Sequence, residues 1–254
     1  MKPRTFPLTF VPTAYWYEAD FSLGATPEYL QGWYYLQETA SLLPPLILDP
    51  KEEELVLDMA AAPGSKTTQL AQLMHGKGAI VALDADAMRL ISLRNNIERL
   101  GIANIAIYKK DARFADDLKQ SFDKVMLDAP CSGNYCIEKD FFTKRTVSDF
   151  KQRSRLQKEL LKSAYKVLKV GGTLVYSTCS LEPEEDELVV DWFIKQYPDM
   201  VLQKIDLPIG DPGLTKVFEE ELDPSLANTL RLWPHKTQTQ GFFIAKLLKN
   251  PSER

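Results

Sequence analysis

Histidine is scarce in this chain: His75 and His235 are the only two in 254 residues. A histidine-based relay would have to draw on one of them. His75 stands at the end of a helical pattern and His235 follows Trp233 and Pro234 in a loop, so both read as structural or capping residues. Cysteine is scarce too, with Cys131, Cys136 and Cys179 alone. Their spacing matches no metal pattern, and a reducing compartment disfavours a disulfide, which leaves reactive or buried thiols. No apolar run reaches the roughly 20 residues of a membrane span. The opening "MKPRTFPLTFVP" is basic, but prolines interrupt it and no small-residue cleavage site follows, so no signal peptide and a cytoplasmic location are expected. Excess positive charge is also missing. The net charge of −4 and a pI near 5.4 argue against bulk nucleic-acid affinity and leave only a local patch. Basic residues do cluster at Lys109, Lys110 and Arg113, at Lys144 and Arg145, and across 151–155, while acids gather at 182–187 and 219–223. Each cluster alone reads equally well as a solvated helix face.

From residue 55 onward, strand and helix patterns alternate. "LVLDM" (55–59), "AIVALD" (79–84), "NIAIY" (104–108), "KVMLD" (124–128) and "TLVYS" (173–177) are apolar runs of strand length. Between them lie helical patterns. One starts after Gly64, one runs from Asp86 to Leu100, and a long one runs from about Val147 to Leu168. "EEDELVVDWFIKQY" reads as a further helix and "GFFIAKLL" (241–248) as a late strand. This order predicts an α/β fold with a mostly parallel sheet and helices on both faces. Residues 1–45 differ. They are rich in aromatics (Tyr15, Trp16, Tyr17, Phe21, Tyr29, Trp33, Tyr34, Tyr35) and read as an extension packed on a domain spanning 46–254. These aromatics could stack on bases, but core packing is the expectation for most of them.

In such sheets ligands bind beyond the carboxyl ends of the strands. The residues there are Asp58 with Ala60, Ala61, Ala62, Pro63 and Gly64, then Asp84, Asp111, Asp128 with Cys131, and Thr178 with Cys179. The first turn is neither a phosphate loop nor G-x-G-x-x-G. It is still a small-residue turn into a helix start, which suits a carboxylate. Asp84 suits a ribose diol, Asp111 an adenine amino group and Asp128 an ammonium. Carboxylate, ammonium, ribose and adenine together describe S-adenosylmethionine.

"DMAAAPGSKT", "ALDAD" with Arg89, "KKDAR", "LDAPCSG" and "YSTCSLEPEEDE" resemble, in order, the motifs of the Sun-type (Nol/Nop/Sun) RNA cytosine-C5 methyltransferases. "YLQETASLLPPLILDP" before them and "RLWPHKTQTQGFFIAKL" after them match as well, so the resemblance covers roughly residues 15–248. It implies a Rossmann-like class I methyltransferase sheet of seven strands, the last antiparallel. It implies that Ala60, Ala61, Ala62, Pro63, Gly64, Ser65 and Lys66 line the methionine end of S-adenosylmethionine. Asp84 would hold the ribose with Arg89 close by, and Asp111 would meet the adenine. Asp128 would touch the cofactor amino group or the target base. Cys179 would be the nucleophile, and Cys131 would help release the product. One departure stands in the substrate loop: a small residue and an Arg-rich stretch usually follow Pro-Cys-Ser-Gly, where this chain has Asn134, Tyr135, Cys136, Ile137, Glu138 and Lys139. The implied partner is RNA, with tRNA the first expectation and rRNA the second, and the chain is expected to act as a monomer.

The chemistry asks for these residue types. Carbon 5 of cytosine is a poor nucleophile until a thiolate adds to carbon 6 and makes the ring an enamine. The addition needs a proton or hydrogen bond at ring nitrogen 3, and Asp128, read as a buried carboxyl with a raised pKa, is the candidate. Cys131, Lys66 or water would take part in removing the carbon 5 proton and breaking the sulfur bond. Cys179 itself needs activation, and a helix starting near Pro183 would favour its thiolate while Glu182, Glu184, Glu185 and Asp186 oppose it. Three rivals remain at this level. A DNA cytosine methyltransferase would use a single Pro-Cys nucleophile without the Thr-Cys partner. A non-catalytic binding protein of the same fold and an enzyme acting on a small molecule or protein are the others.

Overall fold

The computed structural model describes residues 2–251. The chain opens with an antiparallel hairpin of β1 (Arg4–Pro7) and β2 (Tyr15–Glu18). A short helix α1 (Pro27–Leu30) follows, its first turn capped by the Thr26 hydroxyl, which accepts from the Tyr29 N–H at 3.2 Å. Helix α2 (Leu43–Leu48) carries Pro44 and Pro45 in its first turn, where their missing N–H groups cost nothing.

The alternation then runs β3 (Leu55–Asp58), α3 (Ser65–Leu73), β4 (Ala79–Asp84), α4 (Ala87–Arg99), β5 (Ile105–Lys109), β6 (Phe122–Asp128), α5 (Phe141–Lys144), α6 (Val147–Val167), β7 (Leu168–Thr178), α7 (Glu187–Gln196) and β8 (Met200–Gln203). Short strands β9 (Asp211–Pro212), β10 (Lys216–Val217), β11 (Glu220–Glu221) and β12 (Leu230–Leu232), a small helix α8 (Pro234–Thr237) and β13 (Phe242–Lys249) complete it. The main sheet is ordered β5-β4-β3-β6-β7-β13-β12-β9, with β8 also on β13. The five strands from β5 to β7 are parallel, and β13 runs antiparallel to β7. This is the mostly parallel sheet expected, with one elaboration. Two short strands, β8 and β12, pair with successive stretches of β13, and β9 extends β12, so the sheet has nine strands rather than seven.

Both faces of the central strands are buried, so they read as continuous apolar runs. Successive residues supply opposite cores. Leu57, Val125, Leu127, Leu174 and Tyr176 pack with Leu160, Leu161 and Ala164 of α6 and with Val189, Val190 and Phe193 of α7. Val56, Met126, Val175 and Ile244 pack on the other face with Leu43, Ile47 and Leu48 of α2 and Leu70 of α3. Leu8 and Val11, in the turn of the first hairpin, join that second core.

Two expectations change. The last long helix begins at Glu187, and Pro183–Asp186 form a turn before it, so Pro183 does not open the helix and Cys179 lies well before its N-terminus. The early aromatics do not mainly fill the core. Tyr15, Trp16, Tyr17, Phe21 and Trp33 are exposed, Trp33 to 75%. The other three do pack, around a single cation. Arg99 lies 3.9 Å from the centre of the Tyr29 ring and 5.8 Å from that of Tyr35, and donates to the Tyr34 carbonyl at 3.1 Å. Every strand residue of the hairpin is exposed, since a two-stranded ribbon with no second layer leaves both faces to solvent.

Candidate active site

At the end of β3 the chain turns through Ala60–Gly64 into α3. The Ala61 N–H bonds to the Leu83 carbonyl at 2.8 Å and the Ala62 N–H to Asp84 at 3.3 Å, which ties this turn to the end of β4. Gly64 sits at φ 112°, where an added Cβ would lie 2.9 Å from Leu93. It also provides no side chain to cap α3. The first-turn N–H groups of α3 therefore face outward as open donors, the arrangement a carboxylate fits.

Asp84 is buried and heavily engaged. Besides the Ala62 N–H it accepts from the Asp86 N–H at 2.9 Å, and Arg89 stands 3.3 Å away. Arg89 also donates to the Ala62 carbonyl, so the pair braces the turn. Asp111 ends the next strand–turn step and accepts a fork from Arg113, at 2.6 Å to the guanidinium NH2 and 3.0 Å to Nε. That guanidinium holds the Asp111 carboxyl below the usual carboxylate range. Asp84, Asp111 and Asp128 thus line successive strand ends as expected, each already holding a partner.

Asp128 differs from its expectation. It is not an isolated buried carboxyl: its side chain is 27% exposed, pairs with Lys66 Nζ at 2.7 Å and accepts from the Ser177 hydroxyl at 2.7 Å. The isolated buried carboxyl at this edge is Asp58, 1% exposed. Burial raises its pKa to about 7, against the Thr67 hydroxyl at 2.7 Å and the Ala60 N–H at 3.3 Å, which pull it down. Sequence reading noted Asp58 as a strand end but gave it no role.

The two motif cysteines meet. Cys131, in the loop after β6, and Cys179, just past β7, place their sulfurs 3.0 Å apart. Cys136 is exposed and stands apart from this pair. Contact with Cys179, and then burial, push the Cys131 thiol well above its ordinary range. Of the acids after Cys179, read from sequence as a charged helix start, Glu185 and Asp186 are buried instead. Glu185 accepts from the Ser132 N–H at 3.0 Å, from Gln157 Nε2 at 2.9 Å and from the Ser180 hydroxyl at 3.4 Å. Ser132 and Ser180 each follow one of the cysteines, so a single carboxylate sets the two loops against each other. Asp186 accepts from the Thr178 hydroxyl at 2.5 Å, and Arg231 pairs with Asp186 at 3.1 Å and Glu187 at 2.5 Å. Asn134 donates to the Cys179 carbonyl at 3.1 Å and the Gly241 carbonyl at 3.0 Å. The residue that departed from the family pattern therefore ties the Cys131 loop to the Cys179 loop. Glu185, Arg231 and Asn134 were missed from sequence. An arginine inside "LRLW" was the available sign, since a charge in an apolar strand needs a buried partner.

A parallel sheet with one antiparallel strand, a small-residue turn at the first strand end and acids at the next three define a class I methyltransferase fold. The family model described as 16S rRNA methyltransferase RsmB/F matches residues 45–248, and the chain belongs to that family. It is similar to the human 28S rRNA (cytosine(4447)-C(5))-methyltransferase, 45% identical over 239 residues, covering 92% of this chain and 29% of the human protein. It is 43% identical over 233 residues to a tRNA (cytosine(49)-C(5))-methyltransferase of Pyrococcus abyssi, covering 91% of this chain and 75% of that one. Among solved structures, a methyltransferase homologue from Pyrococcus horikoshii superposes with a TM-score of 0.89 at 43% identity, covering 97% of this chain and 78% of that chain. The chain thus spans less than a third of the human protein it matches.

Proposed function

We propose that this chain transfers a methyl group from S-adenosylmethionine to carbon 5 of a cytosine in RNA, through a covalent bond between Cys179 and carbon 6. The observation that carries the reading is the 3.0 Å approach of Cys131 and Cys179 beside the Lys66–Asp128 pair, at the edge where the sheet presents its ligand turn. Ala60, Ala61, Ala62, Pro63, Gly64, Ser65 and Lys66 would hold the methionine end, and the open donors of α3 fit its carboxylate. Asp84 with Arg89 would take the ribose and Asp111 the adenine. S-adenosylmethionine supplies an electrophilic methyl group. Cys179 as thiolate adds to carbon 6 while the Lys66–Asp128 pair delivers a proton to ring nitrogen 3, and the enamine formed places its electrons at carbon 5. After transfer, the carbon 5 proton leaves to a base, the electrons of that bond expel Cys179 as thiolate, and ring nitrogen 3 returns its proton to the Lys66–Asp128 pair. The Cys131 thiol then stands in contact with the departing sulfur and can share its proton with it.

Residues 1–45 are proposed as an extension packed on the domain of 46–254. The seating of Leu8 and Val11 among Val56, Leu70 and Ile80 supports that packing. Transfer RNA is the first substrate class, which the Pyrococcus abyssi relative supports. Ribosomal RNA is the second, which the human relative and the family model support. Incubation with methyl-labelled S-adenosylmethionine and separated tRNA and rRNA, followed by nucleoside analysis, tests this. Labelled 5-methylcytidine is expected. Its absence from both RNA classes would favour a binding protein that keeps the fold without turnover.

A further inference from the structure

A cleft of about 340 Å³ opens on the far side of the Cys131 loop, lined by Ser132, Arg145, Asp149, Gln152, Arg153 and Leu156. Ser132 is the residue after Cys131, so the cleft shares a wall with the cysteine pair. Asp149, Gln152, Arg153 and Leu156 fall at helical spacing on one face of α6. Three observations there are unused by the chemistry above. The Ser132 hydroxyl is 2% exposed and has no hydrogen-bond partner among the described residues. Arg153 is exposed and makes no ion pair among the described residues, and Lys151 and Arg155 flank it. Arg145 uses its Nε on the Ser132 carbonyl at 2.6 Å and reaches Glu138 at 3.3 Å, which leaves one edge of its guanidinium open. The carboxylate in the cleft, Asp149, accepts on Oδ2 from the Thr146 N–H at 2.7 Å and hydroxyl at 2.8 Å, and those bonds with Arg145 and Arg153 hold it below the usual carboxylate range, so one negative charge stands against the two cations. Two cations and an unpaired hydroxyl in a concave site make an anion site.

Beside it, Tyr135 of the loop and Phe142 of α5 stack with ring centres 5.7 Å apart and are exposed to 41% and 77%. Phe141 beneath them is buried against Phe150, with centres 6.2 Å apart, so the stack stands on a packed base. An exposed aromatic pair beside a basic cleft is the combination that single-stranded nucleic acid uses, base on ring and phosphate on cation. In a chain of net charge −4 this local concentration of arginine and lysine is distinctive.

We propose that this cleft binds a backbone phosphate of the RNA next to the target cytidine, with Arg145, Arg153 and the Ser132 hydroxyl as its donors and with Tyr135 and Phe142 stacking a flanking base. The inference rests on the RNA-methylating reading. A phosphate held one residue from Cys131 fixes where the neighbouring nucleotide must lie, and so helps present one cytosine to Cys179.

Arg153 is the position to test, because it supports no other part of the fold. Binding of a short single-stranded RNA of mixed sequence is measured by fluorescence anisotropy across a salt series. Wild type is compared with Arg153→Gln, Arg153→Lys, Ser132→Ala and the distant control Arg94→Gln. Arg153→Gln is expected to weaken binding several-fold and to lower the slope of log affinity against log salt by about 0.7, the value for one phosphate contact on a single strand. Arg153→Lys restores the slope, Ser132→Ala weakens binding without altering melting temperature, and Arg94→Gln changes neither. Methyl transfer by Arg153→Gln falls more at limiting than at saturating RNA. A slope in Arg153→Gln equal to that of wild type overturns the site, as does an Arg153→Lys variant whose slope stays as low as that of Arg153→Gln. A wild-type chain that neither binds nor methylates RNA overturns the functional reading, and the site with it.

Discussion

Glu185 shows how much one side chain can settle at this site. Its carboxylate accepts from two loops, through the Ser132 N–H and the Ser180 hydroxyl, and from Gln157 Nε2 of α6, and all three donor residues lie in the interior. Glu185→Gln puts an NH2 group where only acceptors fit, and an unsatisfied buried donor costs about 1–3 kcal/mol. Chemical denaturation should show that loss, and methyl transfer should fall further than stability because the cysteine spacing relaxes. Asp58 makes a second residue-scale prediction, through pH. Its folded pKa of about 7 stands above its ordinary 3.8, so the folded state binds the proton more tightly. The stability this contributes is complete below about pH 4 and is lost as pH rises through 7. Urea unfolding of wild type should therefore weaken between pH 5 and pH 8 relative to Asp58→Asn, by up to a few kcal/mol. Parallel curves would show that Asp58 titrates alike in both states.

At the scale of elements, the strand–helix alternation was legible because each central strand is an apolar run bounded by turns and because α4 and α6 open on side-chain caps. Asp86 accepts from the Met88 and Arg89 N–H groups at the start of α4, as its position suggested. The start of α7 was not legible. Glu184, Glu185 and Asp186 look like first-turn acids, but the turn before α7 is fixed by long-range bonds to Thr178, Ser132 and Arg231 that local patterning does not encode. The exposure of Trp16 and Trp33 was likewise hidden, since composition alone does not tell an aromatic core from an aromatic surface. Arg231 on β12 fastens the start of α7, fully buried with Asp186 and Glu187. Arg231→Met leaves two acids buried without a cation and should cost about 3–5 kcal/mol in denaturant titration. A loss below 1 kcal/mol would mean that the acids are neutral in the fold without Arg231.

For the whole molecule, the site is a consequence of topology: parallel strands bring Asp58, Asp84, Asp128 and Cys179 to one edge from positions spread over 122 residues of chain. The order of motifs carried this reading from the sequence alone, and the fold adds what the sequence did not state, that Cys131 and Cys179 touch. It also replaces the question of a histidine base with one of shared protons, since the sulfur of Cys179 touches the Cys131 thiol and two of its acid neighbours, Glu185 and Asp186, are turned inward and bonded. The division of labour between the two cysteines is the central claim. It is tested by replacing each with alanine, incubating with RNA and S-adenosylmethionine, and resolving the products on a denaturing gel. Cys131→Ala should accumulate a protein–RNA adduct, because the bond forms and is not released, and Cys179→Ala should form none. An adduct in Cys179→Ala and none in Cys131→Ala would contradict the account.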